Sequence, residues 1–127
     1  MPESVYTKEL LADGRIVSYN FTSTGSEAAD AWLTELTDLF SSWDNSKPLL
    51  LLVDLCGANN VLSAEMMRTS RTASFERPDV PGKTAVVVDS REPSQNVKAL
   101  LNHALADTRE RQMFTNQDDA VAWLLQP

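Results

Sequence analysis

Two apolar segments of the sequence each end in an aspartate that is followed by further polar side chains. Segment 49–53 leads to Asp54, and segment 84–88 leads to Asp89. If both segments are neighbouring parallel strands, the polar residues after them meet at one edge of the sheet, where open α/β sheets bind ligands. The residues that this reasoning places at the edge are Asp54, Cys56, Asn59, Asn60, Asp89, Ser90 and Arg91. The alternative is a structural role, because Asp, Asn and Ser are common in turns and helix caps.

Other kinds of chemistry find little support in the sequence. Cys56 is the only cysteine and His103 the only histidine, so a Cys–His pair would lack an orienting partner, and His and Cys alone cannot build a metal site. No glycine-rich phosphate loop occurs. A phospho-acceptor role for Asp54 would need an acidic pair after an early strand and a lysine after the last one, and both are missing. We therefore expect no enzyme activity, no cofactor and no metal.

The composition predicts a soluble protein that does not bind nucleic acids or anionic membranes. The chain has 127 residues, of which 43% are hydrophobic and 23% charged, and a formal net charge of −7. Because negative charge repels phosphates and anionic lipids, we expect neither nucleic acid nor a membrane surface as a partner. The longest purely apolar run, 49–53, is too short to cross a bilayer, and a single cysteine suits a reducing compartment. These features predict a cytoplasmic location.

The N-terminal part of the sequence has the pattern of a β-hairpin. Segments 5–11 and 15–21 flank Asp13-Gly14, a turn pair that tolerates positive φ. Alternate residues of the second segment form an apolar face: Val17, Tyr19 and Phe21. This alternation predicts a strand that is buried on one face only.

Helix and strand patterns alternate over the rest of the chain. Thr24 and Glu27 form a capping box, and the helix after them has apolar residues at three- and four-residue steps. These residues are Trp32, Leu36, Leu39, Phe40 and Trp43. Further helices are predicted from Ser63 and from Ser94, and a final helix is capped by Thr115 or Asn116. The predicted strands between them are 49–53, 84–88 and 111–115.

The predicted order of elements is β-β-α-β-α-β-α-β-α. Strands that alternate with helices imply parallel pairing through right-handed crossovers. The sequence therefore predicts a single α/β domain with a mostly parallel sheet of about five strands. The N-terminal hairpin adds one antiparallel strand at the edge of that sheet.

The C-terminal part of the sequence has RQMFT at 111–115 and DAVAWL at 119–124. These residues resemble those of the STAS family, the SpoIIAA-like anti-sigma-factor antagonists. Members of this family often end in a strand that closes with Phe-Thr, followed by a helix with an acidic-Ala-x-x-Trp-Leu pattern. The chain length and the element order also fit, so the resemblance extends over nearly the whole chain. It implies a SpoIIAA-like fold and a non-enzymatic regulatory role in which the domain binds a protein partner.

The resemblance also implies a phosphorylation switch, in a degenerate form. In such antagonists a strand-end aspartate leads to Asp-Ser-x-Gly at the start of the second helix, and phosphorylation of the serine controls binding. Asp54 matches the strand-end aspartate, and Ser63 falls at the position of the serine. The flanking residues depart from the motif, because Leu62 precedes the serine and Ala64-Glu65 follow it. The alternative is that Ser63 serves only as a helix N-cap.

Two arginines give the predicted second helix a local positive charge. Arg68 and Arg71 are three residues apart and therefore share one helix face. They indicate either a docking patch for an acidic partner or a solvated face balanced by Glu65 and Glu76.

The architecture also resembles that of SEC14-type domains, so the alternative function is a module that binds a small apolar ligand or a lipid. A homodimer stays open, because a sequence alone does not reveal surface patches.

Overall fold

The predicted N-terminal hairpin is present. In the computed structural model, β1 (Tyr6–Leu11) pairs with β2 (Ile16–Phe21) in antiparallel fashion. The turn between them holds three successive residues at positive φ: Ala12 at 52°, Asp13 at 58° and Gly14 at 86°. The turn therefore places two residues with side chains, and not only its glycine, in a backbone region that such residues rarely adopt.

The hairpin is one edge of a five-stranded sheet with the order β1-β2-β3-β4-β5. The structure describes residues 6–22, 26–44, 46–58, 81–88 and 110–126. The other strands in these ranges are β3 (Leu49–Asp54), β4 (Gly82–Val87) and β5 (Glu110–Phe114). All neighbours from β2 to β5 are parallel, and Leu51 of β3 lies opposite Thr84 of β4. The α/β class, the antiparallel edge strand and the parallel pairing of the two apolar segments are thus confirmed.

The strand boundaries differ slightly from the prediction. β4 ends at Val87, and Val88 follows it with a backbone N–H that donates to the carbonyl of Phe114 at 2.9 Å. β5 begins and ends one residue earlier than predicted. Such differences of one or two residues are usual at the ends of strands, because the hydrogen bonds that define them are lost gradually.

The prediction that β2 is buried on one face only is wrong. Tyr19 and Phe21 lie in the core on one side of the sheet, and Ile16 lies in the core on the other side. Ser18 is only 1% exposed although it is polar. The reason is the position of the strand: β2 lies inside the sheet, between β1 and β3, and both faces of the sheet are covered there.

Helix α1 (Ser26–Ser42) covers one face of the sheet. Of its predicted apolar stripe, Trp32, Leu36 and Phe40 are buried, while Leu39 and Trp43 are partly buried against the same core. The Trp43 side chain, just after the helix, donates from Nε1 to the carbonyl of Lys47 at 2.9 Å. This bond holds the turn that leads into β3. The predicted N-cap, Thr24, lies outside the described residues.

Helix α2 (Gln117–Leu124) covers the opposite face. Its N-cap is Asn116, whose side-chain oxygen accepts a hydrogen bond from the Asp119 amide at 2.8 Å. Ala120 and Leu124 are buried against an aliphatic core formed by residues of the strands: Ile16, Leu50, Leu52, Ala85 and Val87. The two helices predicted after Ser63 and after Ser94 fall outside the described residues.

Candidate functional site

The carboxyl ends of four parallel strands meet at one edge of the sheet. Register partners across this edge are Asn20 of β2, Asp54 of β3, Val87 of β4 and Phe114 of β5. Because side chains alternate along strands, these four residues point to the same face of the sheet, which is the face covered by α2. We call this row the carboxyl edge. It is the edge that the sequence predicted as functional, and Asp54 lies in its middle.

Asp54 uses its carboxylate to shape the chain after β3. Its Oδ1 accepts a hydrogen bond from the backbone N–H of Cys56 at 2.9 Å, and a short 3-10 helix (Cys56–Ala58) begins there. This is an Asx-type turn, in which the side chain takes the place of a backbone acceptor. The structure thus supports the turn role for Asp54. Asp54 is half-buried at the edge.

The residues after Asp54 are held against the strands on both sides. The Leu55 amide donates to the carbonyl of Val87 in β4 at 2.9 Å, and the Leu55 side chain is fully buried. On the other side, a Cβ atom at Gly57 would lie 2.7 Å from the carbonyl oxygen of Phe21 in β2. Only glycine allows the loop to approach β2 so closely. One hint of this role is visible in the sequence, since Gly57 comes three residues after a buried strand.

Cys56 is half-buried and packs against the aliphatic core under α2. It forms no disulfide, because the chain has no second cysteine. Among the described residues, no three His, Cys, Asp or Glu side chains are grouped so that they could hold a metal ion. The predicted site residues whose positions lie outside the described ranges are Asn59, Asn60, Ser63, Arg68, Arg71, Asp89, Ser90 and Arg91.

A second polar cluster, which the sequence did not reveal, joins α1 to the hairpin. The Glu35 carboxylate accepts hydrogen bonds from Lys8 Nζ at 2.7 Å, from the Tyr19 hydroxyl at 2.7 Å and from the Tyr6 hydroxyl at 3.4 Å. The Lys8 contact is also an ion pair. Lys8 and Tyr19 are register partners in the hairpin, which is why both reach the same carboxylate. We call these four residues the Glu35 cluster.

Its electrostatics keep Glu35 ionised and the tyrosines protonated. Burial raises the pKa of Glu35, but the hydrogen bonds from Lys8 and Tyr19 outweigh it and place the pKa below the ordinary value of 4.5. Burial and the hydrogen bond to Glu35 raise the pKa of Tyr19, and the same causes raise that of Tyr6. The cluster joins a helix to a sheet.

Comparison with known proteins adds no relative to these observations. A scan against models of protein families, a search of curated proteins and a search of solved structures gave no significant match. In the part of the chain that the structure describes, no helix has both the length and the apolar character needed to span a membrane.

Proposed function

We propose that this protein is a non-enzymatic regulatory module that binds a protein partner at the carboxyl edge. The observation that supports this most directly is the fixed start of the connection after β3. Asp54 holds the turn, Leu55 is bonded to β4, and Gly57 lies against β2. A connection that is held to the sheet at three points loses little conformational entropy when a partner binds it.

The STAS resemblance supplies the regulatory part of the proposal. Ser63 follows this fixed connection and matches the switch serine in position. A phosphate there would add nearly two negative charges and three acceptor oxygens to the docking surface. On a chain that already has a net charge of −7, the added charge would weaken docking of an acidic partner and strengthen docking of a basic one.

Phosphorylation mapping tests the switch. The protein is incubated with ATP and kinase fractions from its own source, and phosphate is located by mass spectrometry. We expect phosphate at Ser63. With a purified partner, we expect Ser63→Asp to change the Kd about tenfold, which corresponds to a typical coupling free energy between two sites. The matched control is Ser46→Asp, because Ser46 is exposed and precedes β3 at the opposite end of the sheet.

A second pair of variants tests the edge itself. Asp54→Ala removes the acceptor of the Cys56 amide, whereas Asp54→Asn keeps a side-chain oxygen at the same place. If the fixed turn presents the docking surface, Asp54→Ala weakens partner binding and Asp54→Asn leaves it near wild type. Equal binding by both variants, together with an unmodified Ser63, would contradict the proposal.

The alternative function, a module for a small apolar ligand or a lipid, is favoured by one observation at the other end of the sheet. A cleft of about 500 Å³ opens there, within the volume range of small-molecule sites. Its walls and charges decide which ligand it suits.

A further inference from the structure

The cleft lies at the amino ends of the parallel strands, opposite the carboxyl edge. Leu50 of β3, Lys83 of β4 and Glu110 of β5 are near the start of their strands, and all three line it. The end of α2 closes one side through Leu124 and Leu125. The cleft is therefore separate from the surface proposed for the protein partner, and binding in it is independent of that proposal.

The interior of the cleft is apolar. Leu50 and Leu124 form its floor and are 6% and 1% exposed. Leu125, at the C-cap of α2, is half-buried, and the exposed Pro48 stands before β3 on the other side. Leu125 and Pro48 therefore supply most of the apolar surface that water contacts in the cleft, and an aliphatic chain laid over these two residues would cover it, which favours binding by the hydrophobic effect.

Among the described residues that line the cleft, Lys83 and Arg15 are cationic, and Lys83 is already engaged. Its Nζ donates to the carbonyls of Trp123 and Gln126, each at 3.1 Å, and lies 5.1 Å from the centre of the Trp123 ring. These carbonyls are at the C-terminal end of α2, where a helix favours a positive charge. The charge of Lys83 is thus directed at the helix end, while its aliphatic stem lines the cleft.

Arg15 and Glu110 stand at the two flanks of the cleft, next to β2 and on β5. Within the ranges that the structure describes, neither side chain forms a hydrogen bond or an ion pair, and both are exposed. Arg15 directly precedes β2, next to Ile16, whose register partner is Leu50. A guanidinium without a partner beside an apolar floor suits a carboxylate, which it binds through two parallel hydrogen bonds.

From this arrangement we propose that the cleft binds a small monoanion with an aliphatic body, such as a medium-chain carboxylate. Arg15 takes the carboxylate, and the aliphatic body lies over Leu125 and Pro48. Glu110 at the far flank repels a second negative charge, so the cleft prefers a monoanion to a dianion of the same length.

NMR titration of the whole chain with three probes tests this assignment. The probes are octanoate, octanol as its uncharged counterpart and suberate as the dianion of equal length. We expect octanoate to shift the amide signals of Lys83, Leu124 and Leu125 in a saturable way, octanol to bind more weakly, and suberate to bind weakest. Arg15→Gln should weaken octanoate about fivefold, as the loss of one exposed charged contact does, and leave octanol unchanged.

Two further variants make the test specific. Arg15→Lys should recover part of the affinity, and Glu110→Gln should raise the affinity for suberate towards that for octanoate. The control is Arg111→Gln, which makes the same charge change as Arg15→Gln. Because Arg111 follows Glu110 in β5, its side chain lies on the opposite face of the sheet from the cleft. This variant should bind octanoate with an affinity within about twofold of wild type. Shifts outside the cleft, absence of saturation, or equal effects of Arg15→Gln and Arg111→Gln would overturn the proposal.

Discussion

Each of the two helices in the described ranges is bonded to the sheet through a charged side chain, but in one case the helix supplies the charge and in the other case the sheet does. On the α1 face the helix supplies Glu35, and residues of the hairpin donate hydrogen bonds to it. On the α2 face the sheet supplies Lys83, which donates to carbonyls at the end of the helix. The surroundings differ as well: α1 packs on aromatic rings, whereas the core under α2 is mostly aliphatic.

Because of this difference, we expect the two sets of hydrogen bonds to stabilise the two faces by different amounts. Tyr19 is fully buried in the folded protein, and its hydroxyl donates to the Glu35 carboxylate. The carbonyls bonded to Lys83 lie at the end of α2, where Gln126 is exposed and water can replace the ammonium. We therefore expect the α1 face to be the more sensitive of the two to loss of its charged residue.

The largest loss of stability should come from truncating side chains in the cores that the two helices bury. Trp32 contacts the rings of Tyr19 and Phe21 edge-on, with centroid distances of 4.8 Å and 5.2 Å. We expect Trp32→Ala to lower the free energy of unfolding by about 4 kcal/mol, because it opens a cavity and removes both ring contacts. Leu124→Ala, the matched truncation under α2, should cost about 3 kcal/mol. Urea denaturation measures both, and a larger cost for Leu124→Ala would reverse the comparison.

The second-largest loss of stability should come from replacing Glu35. Glu35→Ala leaves the buried Tyr19 hydroxyl without its acceptor and should cost about 2 kcal/mol, whereas Glu35→Gln keeps a side-chain oxygen and should cost about 1 kcal/mol. Tyr19→Phe in the Glu35→Ala background removes the unpaired hydroxyl and should recover part of the loss. These free energies come from urea denaturation at neutral pH. If the double variant is as unstable as the sum of the single ones, the phenol and the carboxylate are not coupled.

The pH dependence of stability provides a third test of the α1 face. The hydrogen bonds of the Glu35 cluster hold the pKa of Glu35 in the folded protein below 4.5, so the unfolded chain binds the proton more readily. The stabilisation by ionised Glu35 is therefore complete above about pH 4.5 and is lost as the pH falls through the folded pKa. We expect the stability difference between wild type and Glu35→Gln to shrink from pH 7 towards pH 3.

Other carboxylates do not disturb this measurement, since they are common to both proteins. One of them is Asp44, whose pKa is lowered by hydrogen bonds from Ser46. A stability difference that stays constant over the whole pH range would mean that the charge of Glu35 does not stabilise the fold.

The features that could be predicted from the sequence are those that depend on near neighbours in the chain. The apolar stripe of α1, the run that forms β3 and the hairpin each show a local period. The same applies to Asp54, which ends an apolar run and was placed correctly at the carboxyl edge. The burial of Ser18 was missed because it depends on which strands lie on either side of β2.

The Glu35 cluster and the cleft could not be predicted because they join distant segments. Glu35 is 27 residues from Lys8 and 16 from Tyr19, and Lys83 is 40 residues from the helix end that it holds. Periodicity carries no information on such pairs. One partial signal was present: once a hairpin is predicted, its register places Lys8 beside Tyr19, and a carboxylate at the margin of the next apolar stripe is their natural partner.

The smallest loss of stability should come from replacing Lys83. This replacement is the most direct test of why the two faces differ. Lys83→Met removes the ammonium but keeps an apolar stem against Trp123, so the packing under the helix end is preserved. Because water can solvate the released carbonyls, we expect a loss of only about 0.5 to 1 kcal/mol in global stability. Hydrogen exchange should show faster opening at Leu125 and Gln126, whose amides bond within the last turn of α2, while amides of α1 stay unchanged. A loss as large as that of Glu35→Ala would mean that the carbonyls at this end are as poorly solvated as the Tyr19 hydroxyl, and burial would then not explain the contrast between the faces.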